Sequence, residues 1–183
     1  SNLGAFGGST SFSGEGALVT SVSYNAVNMT EMWDNLNFGS QYGNAGLQIT
    51  EASVTMAGAQ TVTATLAAAP SNQALGIITM TGVHQTTPTE AFNSAQATNG
   101  GAVDATVTIT STVADTVIHA ACAVDDDAIT AGQTTRNNVA SALIGSGANE
   151  DTPKATAGAQ SMSYTDVGAG KTWAIAGYVV KPL

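Results

Sequence analysis

From residue 17 onward, apolar and polar residues alternate in short runs, each cut off by Gly, Asn, Asp or Pro. In Thr61-Val62-Thr63-Ala64-Thr65-Leu66, Val62, Ala64 and Leu66 fall on one face and three threonines on the other. Ala105-Thr106-Val107-Thr108-Ile109-Thr110 repeats the pattern. Side chains of a strand point alternately to its two faces, and β-branched threonine suits a solvated pleated surface, so both segments read as half-buried strands. Further strands are predicted at about 17–24, 27–33, 46–56, 74–82, 116–124, 139–144, 160–165 and 172–180. Leu75 to Met80 and Val117 to Val124 are apolar on both faces, which predicts central strands or strands beneath a second layer.

Turn chemistry separates the runs at Ala57-Gly58, Pro70-Ser71-Asn72, Asn99-Gly100-Gly101, Asp125-Asp126-Asp127, Gly145-Ser146-Gly147 and Gly168-Ala169-Gly170. No segment carries a capped apolar period of 3.6 residues. About ten short strands at intervals of 8–15 residues predict an all-β fold, a single antiparallel β-sandwich over residues 17–183. Residues 1–16 differ in texture: Gly and Ser dominate, with Leu3, Phe6 and Phe12 as isolated apolar beads. They read as an extended N-terminal arm.

Composition narrows the function. The chain has 183 residues, enough for one domain with a core that needs no metal or disulfide staple. Only 9% of residues are charged, and 13 acidic against 4 basic residues leave a net charge of −9. So few cations argue against binding a phosphate backbone or an anionic membrane surface. No apolar run is long enough to cross a bilayer as a helix. A hydrophobic content of 43% is too high for a disordered chain. A serine at position 1 fits a processed chain, and a small acidic Thr/Ser/Ala/Gly-rich product suits the outside of a cell.

Candidate chemistry is sparse. His84 and His119 are the only histidines, and no Cys/His pair has metal-ligand spacing. His119 and Cys122, three apart on a predicted strand, fall on opposite faces and read as ordinary strand residues. The lone cysteine excludes an internal disulfide. Asp125, Asp126 and Asp127 form the densest charge cluster and the one weak calcium candidate, without the spacing of a calcium loop. No other cofactor is indicated. Glu150-Asp151 before Pro153 reads as another solvated polar loop, and Asn28-Met29-Thr30 matches a glycosylation acceptor. No Gly-x-Ser-x-Gly elbow is present, and nothing else points to an enzyme.

Three stretches together carry a resemblance: residues 19–30 (Val19-Thr20-Ser21-Val22 to Met29-Thr30), Gly82-Val83-His84-Gln85-Thr86-Thr87-Pro88, and Met162-Ser163-Tyr164 with Trp173 to Pro182. In order and spacing they resemble a β-sandwich module of bacterial, archaeal and phage surface and virion structural proteins, over about residues 18–183. The resemblance implies a jelly-roll-like sandwich and a structural or adhesive role, with no catalytic residues. Asn25-Ala26 replaces the module's usual Asn-Gly, which weakens a primed turn there, and His84 replaces its usual Asp. The module also opens with a strongly apolar strand, whereas residues 1–16 offer only scattered Leu and Phe.

A sandwich short of one strand exposes a groove and unpaired edges, and strand addition from a neighbour can fill them. The expectation is therefore a non-enzymatic, extracellular or cell-surface protein whose partner is itself. It would polymerise into a filament or surface layer, with Leu3, Phe6 and Phe12 anchoring the arm in a neighbour's groove. The alternative is a virion component, a decoration or tail-fibre domain. A third reading is an adhesive module with a glycan partner, for which Trp33, Tyr42 and Trp173 are the candidate platform.

Overall fold

Along residues 105–111 buried and exposed positions alternate without a break, as the sequence pattern predicts: Ala105, Val107 and Ile109 are inside, and Thr106, Thr108 and Thr110 outside. The computed structural model describes residues 3–6, 10–13, 19–38, 42–48, 59–66, 74–75, 78–84, 86–97, 104–124, 129–141, 145–165, 168, 170–171 and 173–183. Among these residues there is no helix. The first nine strands are β1 (Leu3–Phe6), β2 (Thr10–Ser13), β3 (Val19–Tyr24), β4 (Val27–Asn28), β5 (Thr30–Phe38), β6 (Tyr42–Gln48), β7 (Val62–Leu66), β8 (Ala74–Leu75) and β9 (Ile78–Thr81). The remaining eight are β10 (Thr89–Ala97), β11 (Ala105–Ser111), β12 (Thr116–Val124), β13 (Thr130–Ala131), β14 (Thr134–Ser141), β15 (Gly145–Lys154), β16 (Gly158–Thr165) and β17 (Trp173–Val180).

The later eight strands form the sandwich. One sheet runs β10-β17-β12-β15-β14 and the other β11-β16-β13, all antiparallel. The pairs Thr89↔Val180, Ala105↔Tyr164 and Thr116↔Lys154 are all centred within a residue of Thr134–Thr135. This half of the chain is thus one long hairpin rolled onto itself, the nested strand order of a jelly roll. Between the sheets lie Val107, Ile109, Met162 and Tyr164 from one side and Ile118, Cys122, Ile175 and Val179 from the other. Tyr164, fully buried, donates its hydroxyl to the Ala120 carbonyl at 3.0 Å across that interior.

All eight residues of β17 are buried, so the five-stranded sheet is covered on both faces. On its outer face Tyr178 and Val180 cluster with Val83, Met80 and Val117, and β2 and β6 pack across β12, β15 and β17. The expected placement of residues 117–124 as a central strand under a second layer holds. Residues 74–82 instead divide into β8, at the end of the sheet β5-β6-β2-β8, and β9, paired with β1 alone among the described strands. The hairpin of β3 and β4 closes through Asn25 (φ 48°) and Ala26 (φ 62°), with Tyr24 opposite Val27. It is therefore a primed two-residue turn despite the missing glycine, because paired strands on either side impose their twist on it.

Candidate functional site

The segment Gly145-Ser146-Gly147-Ala148-Asn149-Glu150-Asp151-Thr152-Pro153-Lys154 has no apolar run, and its sequence reads as a turn followed by a polar loop. It is β15, an interior strand between β12 and β14. Both of its edges are hydrogen-bonded to neighbours, and its two buried acids find partners on opposite faces. Pairing and polar satisfaction here override a weak local preference for strand.

Asp151 faces outward and stands directly opposite His119 of β12. Their Nδ1 and Oδ1 atoms are 2.6 Å apart, and the histidine is fully buried. Acting as donor at Nδ1, His119 keeps its proton on that nitrogen, while Nε2 is buried with no hydrogen-bond partner among the described residues. The Tyr178 ring lies 5.2 Å away, tilted by 51°. Arg136 donates Nε–H to the second oxygen, Oδ2, at 2.5 Å. In the β14–β15 ladder Thr135 pairs with Glu150 and Asn137 with Asn149, so Arg136 is the extra residue of a β-bulge. A bulge re-aims a side chain, and this one brings a half-exposed guanidinium onto a buried carboxylate. Burial pushes the Asp151 carboxyl upward, but the His119 hydrogen bond and charge, and then Arg136, outweigh it and hold the group below the usual carboxylate range.

Glu150 points the other way, into the sandwich. Its Oε2 accepts the Gln133 N–H at 2.9 Å and its Oε1 the Ser163 N–H at 3.0 Å, tying the corner before β14 to β16. Gly132 belongs to the same corner: its N–H bonds the Ser163 carbonyl at 2.8 Å, and an added Cβ would lie 2.4 Å from Ser163 Oγ. Burial drives the Glu150 carboxyl up to about 7, and the amides only partly oppose it. Sequence reasoning missed both acids. The available signal was His119, a titratable ring amid an apolar strand, which requires a buried partner.

A cleft of about 430 Å³ opens beside Asp151, lined by Met80, Gly82, Val83, Asp115, Val117, Arg136, Asp151, Val180, Lys181 and Pro182. The end of the chain builds one wall. Val83 bridges to Pro182, Leu183 N–H bonds the Gly82 carbonyl, and Lys181 N–H bonds the Pro88 carbonyl. His84 Nδ1 accepts the Thr87 N–H at 3.1 Å, so it locks this turn as an Asp carboxylate at that position could. No described hydroxyl or thiol is hydrogen-bonded to His119 Nε2. The arrangement holds a guanidinium rigidly at the cleft.

Leu3 and Phe6 lie in β1, and Phe12 lies in β2, which packs across β12 and β15 of the five-stranded sheet. The backbone of β1 pairs with β9, and that of β2 with β6 and β8, all of the same chain. Asn28 is exposed in β4, which leaves the acceptor open to solvent. Asp125, Asp126 and Asp127 fall outside the described residues, among which no cluster of three metal-ligating side chains occurs. Trp33 and Tyr42 belong to β5 and β6, and Trp173 is buried, so it is no exposed sugar platform. Cys122 is buried in the core on the face of β12 opposite His119. The chain matches no protein-family model, no curated protein and no solved structure.

Proposed function

We propose that this chain is a non-enzymatic structural protein, a β-sandwich subunit that assembles with copies of itself into an extracellular filament or surface layer. The observation that carries this reading is the β1–β9 ribbon, in which β1 adds to a strand more than seventy positions away: Leu3 faces Thr81, Gly4 faces Met80, Ala5 faces Thr79 and Phe6 faces Ile78. A two-stranded pairing, among the described strands, between segments so far apart in sequence can be made equally by the same segment of a neighbour. Repeated head to tail, that exchange does not close and grows a fibre. The sparse charge suits close packing of identical copies, while the residual −9 keeps the free subunit soluble.

Electron microscopy of the full chain beside a variant lacking residues 1–16 tests the reading. Filaments that vanish on truncation support it, and uniform monomers in both samples overturn it. A second reading has its own observation. The nested strand order of β10 to β17 is that of jelly rolls, a fold used by capsid proteins, and it favours a virion decoration or tail-fibre domain. That reading expects a defined oligomer, or binding to a capsid, rather than self-polymerisation.

A further inference from the structure

Four cationic residues serve the whole chain, and two of them, Arg136 and Lys181, line a cleft that also holds Asp115. Arg136 is the chain's only arginine. Asp151 takes its Nε–H and is itself held from behind by buried His119, so the guanidinium is oriented before any ligand arrives. Among the described residues nothing else bonds Arg136, which leaves the terminal NH₂ groups available as a fork for a planar anion. Asp115 makes no ion pair and no side-chain hydrogen bond with a described residue. Asp115 thus shares a cleft with Arg136 and Lys181 without pairing with either, and the wall they share is apolar: Met80, Val83, Val117 and Val180. A carboxylate with an aliphatic body would satisfy only the arginine, and an amine only the aspartate.

We propose that this cleft binds a small zwitterion with an aliphatic side chain, an amino acid or a dipeptide bound whole. Its carboxylate lies on Arg136, its ammonium group on Asp115 and its side chain on the valines. About 430 Å³ is a volume in the range of small-molecule pockets and accommodates either ligand. This assignment does not depend on how copies of the chain assemble.

Binding is tested by titrating the protein with L-leucine, the dipeptide Leu-Leu, 4-methylpentanoate and 3-methylbutylamine, following backbone amide resonances of Val117, Asp151 and Val180. The expected result is saturable binding of leucine or Leu-Leu, tighter than that of either singly charged analogue. Preference for the dipeptide identifies a dipeptide ligand and preference for leucine a free amino acid. Asp115→Asn and Arg136→Gln should each weaken binding at least about tenfold, the loss of one charged hydrogen bond. Asp115 is exposed and outside the buried cluster, so its variant folds independently of what happens at Arg136. The proposal is overturned by absent binding of both zwitterions, by 4-methylpentanoate or the amine binding as tightly, or by unchanged affinity in Asp115→Asn.

Discussion

His119 and Asp151 face each other across two neighbouring strands of the sandwich, ring nitrogen to carboxylate oxygen at 2.6 Å, both shielded from solvent. Removing one member of such a pair strands the other's polar atom in the interior, which costs about 3–5 kcal/mol. Asp151→Ala is therefore expected to lose about 3 kcal/mol in urea denaturation. Asp151→Asn, which keeps an acceptor for Nδ1–H, should lose less. Arg136→Ala should lose about 1 kcal/mol or less, because its side chain is half in water. A larger loss from Arg136 than from Asp151 would contradict this order.

Stability should fall on both sides of mildly acidic pH. Glu150 titrates near 7 in the folded chain, above its unfolded value, so its protonated form is the favoured one. That contribution is complete below about pH 4.5 and lost as pH rises through 7. Asp151 is held below its ordinary range, so its contribution is present above about pH 4 and lost on further acidification. The denaturation midpoint should therefore peak at about pH 4 to 4.5 and decline as pH rises from there to about 7. Glu150→Gln should flatten the alkaline limb, and an unchanged slope there would exclude Glu150 as its cause.

Ala26 holds φ at +62° in the β3–β4 turn, a conformation that costs a residue with a Cβ about 1 kcal/mol. Ala26→Gly relieves that strain while making the unfolded chain more flexible. A net gain of about 0.5 kcal/mol is expected, read as a small rise in melting temperature. A fall would mean that the turn is not under strain.

Gly177 lies where β17 crosses the core, and a Cβ there would sit 2.4 Å from Ile109 Cδ1 and 2.8 Å from the His119 carbonyl oxygen. The backbone atom cannot yield as a side chain can. Gly177→Ala should cost about 1–3 kcal/mol by overpacking, measured by denaturant titration. Wild-type stability would show that the two sheets slide apart freely at this point.

Gly4 and Met80 are register partners in the β1–β9 ribbon, close enough for cysteines at both positions to oxidise together. Mixing a Gly4→Cys chain with a Met80→Cys chain under assembly conditions should give a disulfide-linked heterodimer on a denaturing gel if the strand is donated between copies. Cross-linking confined to the doubly substituted single chain would restrict the strand to its own sandwich. Cys122, buried in the core, should not interfere.

The local pattern by itself determined the all-β class, the half-buried strands at residues 62–66 and 105–111, and the central position of residues 116–124. These follow from a period of two, which needs no knowledge of neighbours. The long strand β15 and the edge strand β10 were not legible, because their residues are polar or small and become strands only when partners occupy their edges. The Asp151 cluster was hidden for the same reason. Its three residues lie 15 to 32 positions apart, and what unites them is the antiparallel register of β12 with β15 and a bulge that turns Arg136 toward the carboxylate. Alternation assigns a residue to a face, but which faces meet, and which charge is buried against which, was decided by the rolling of one long hairpin into two sheets.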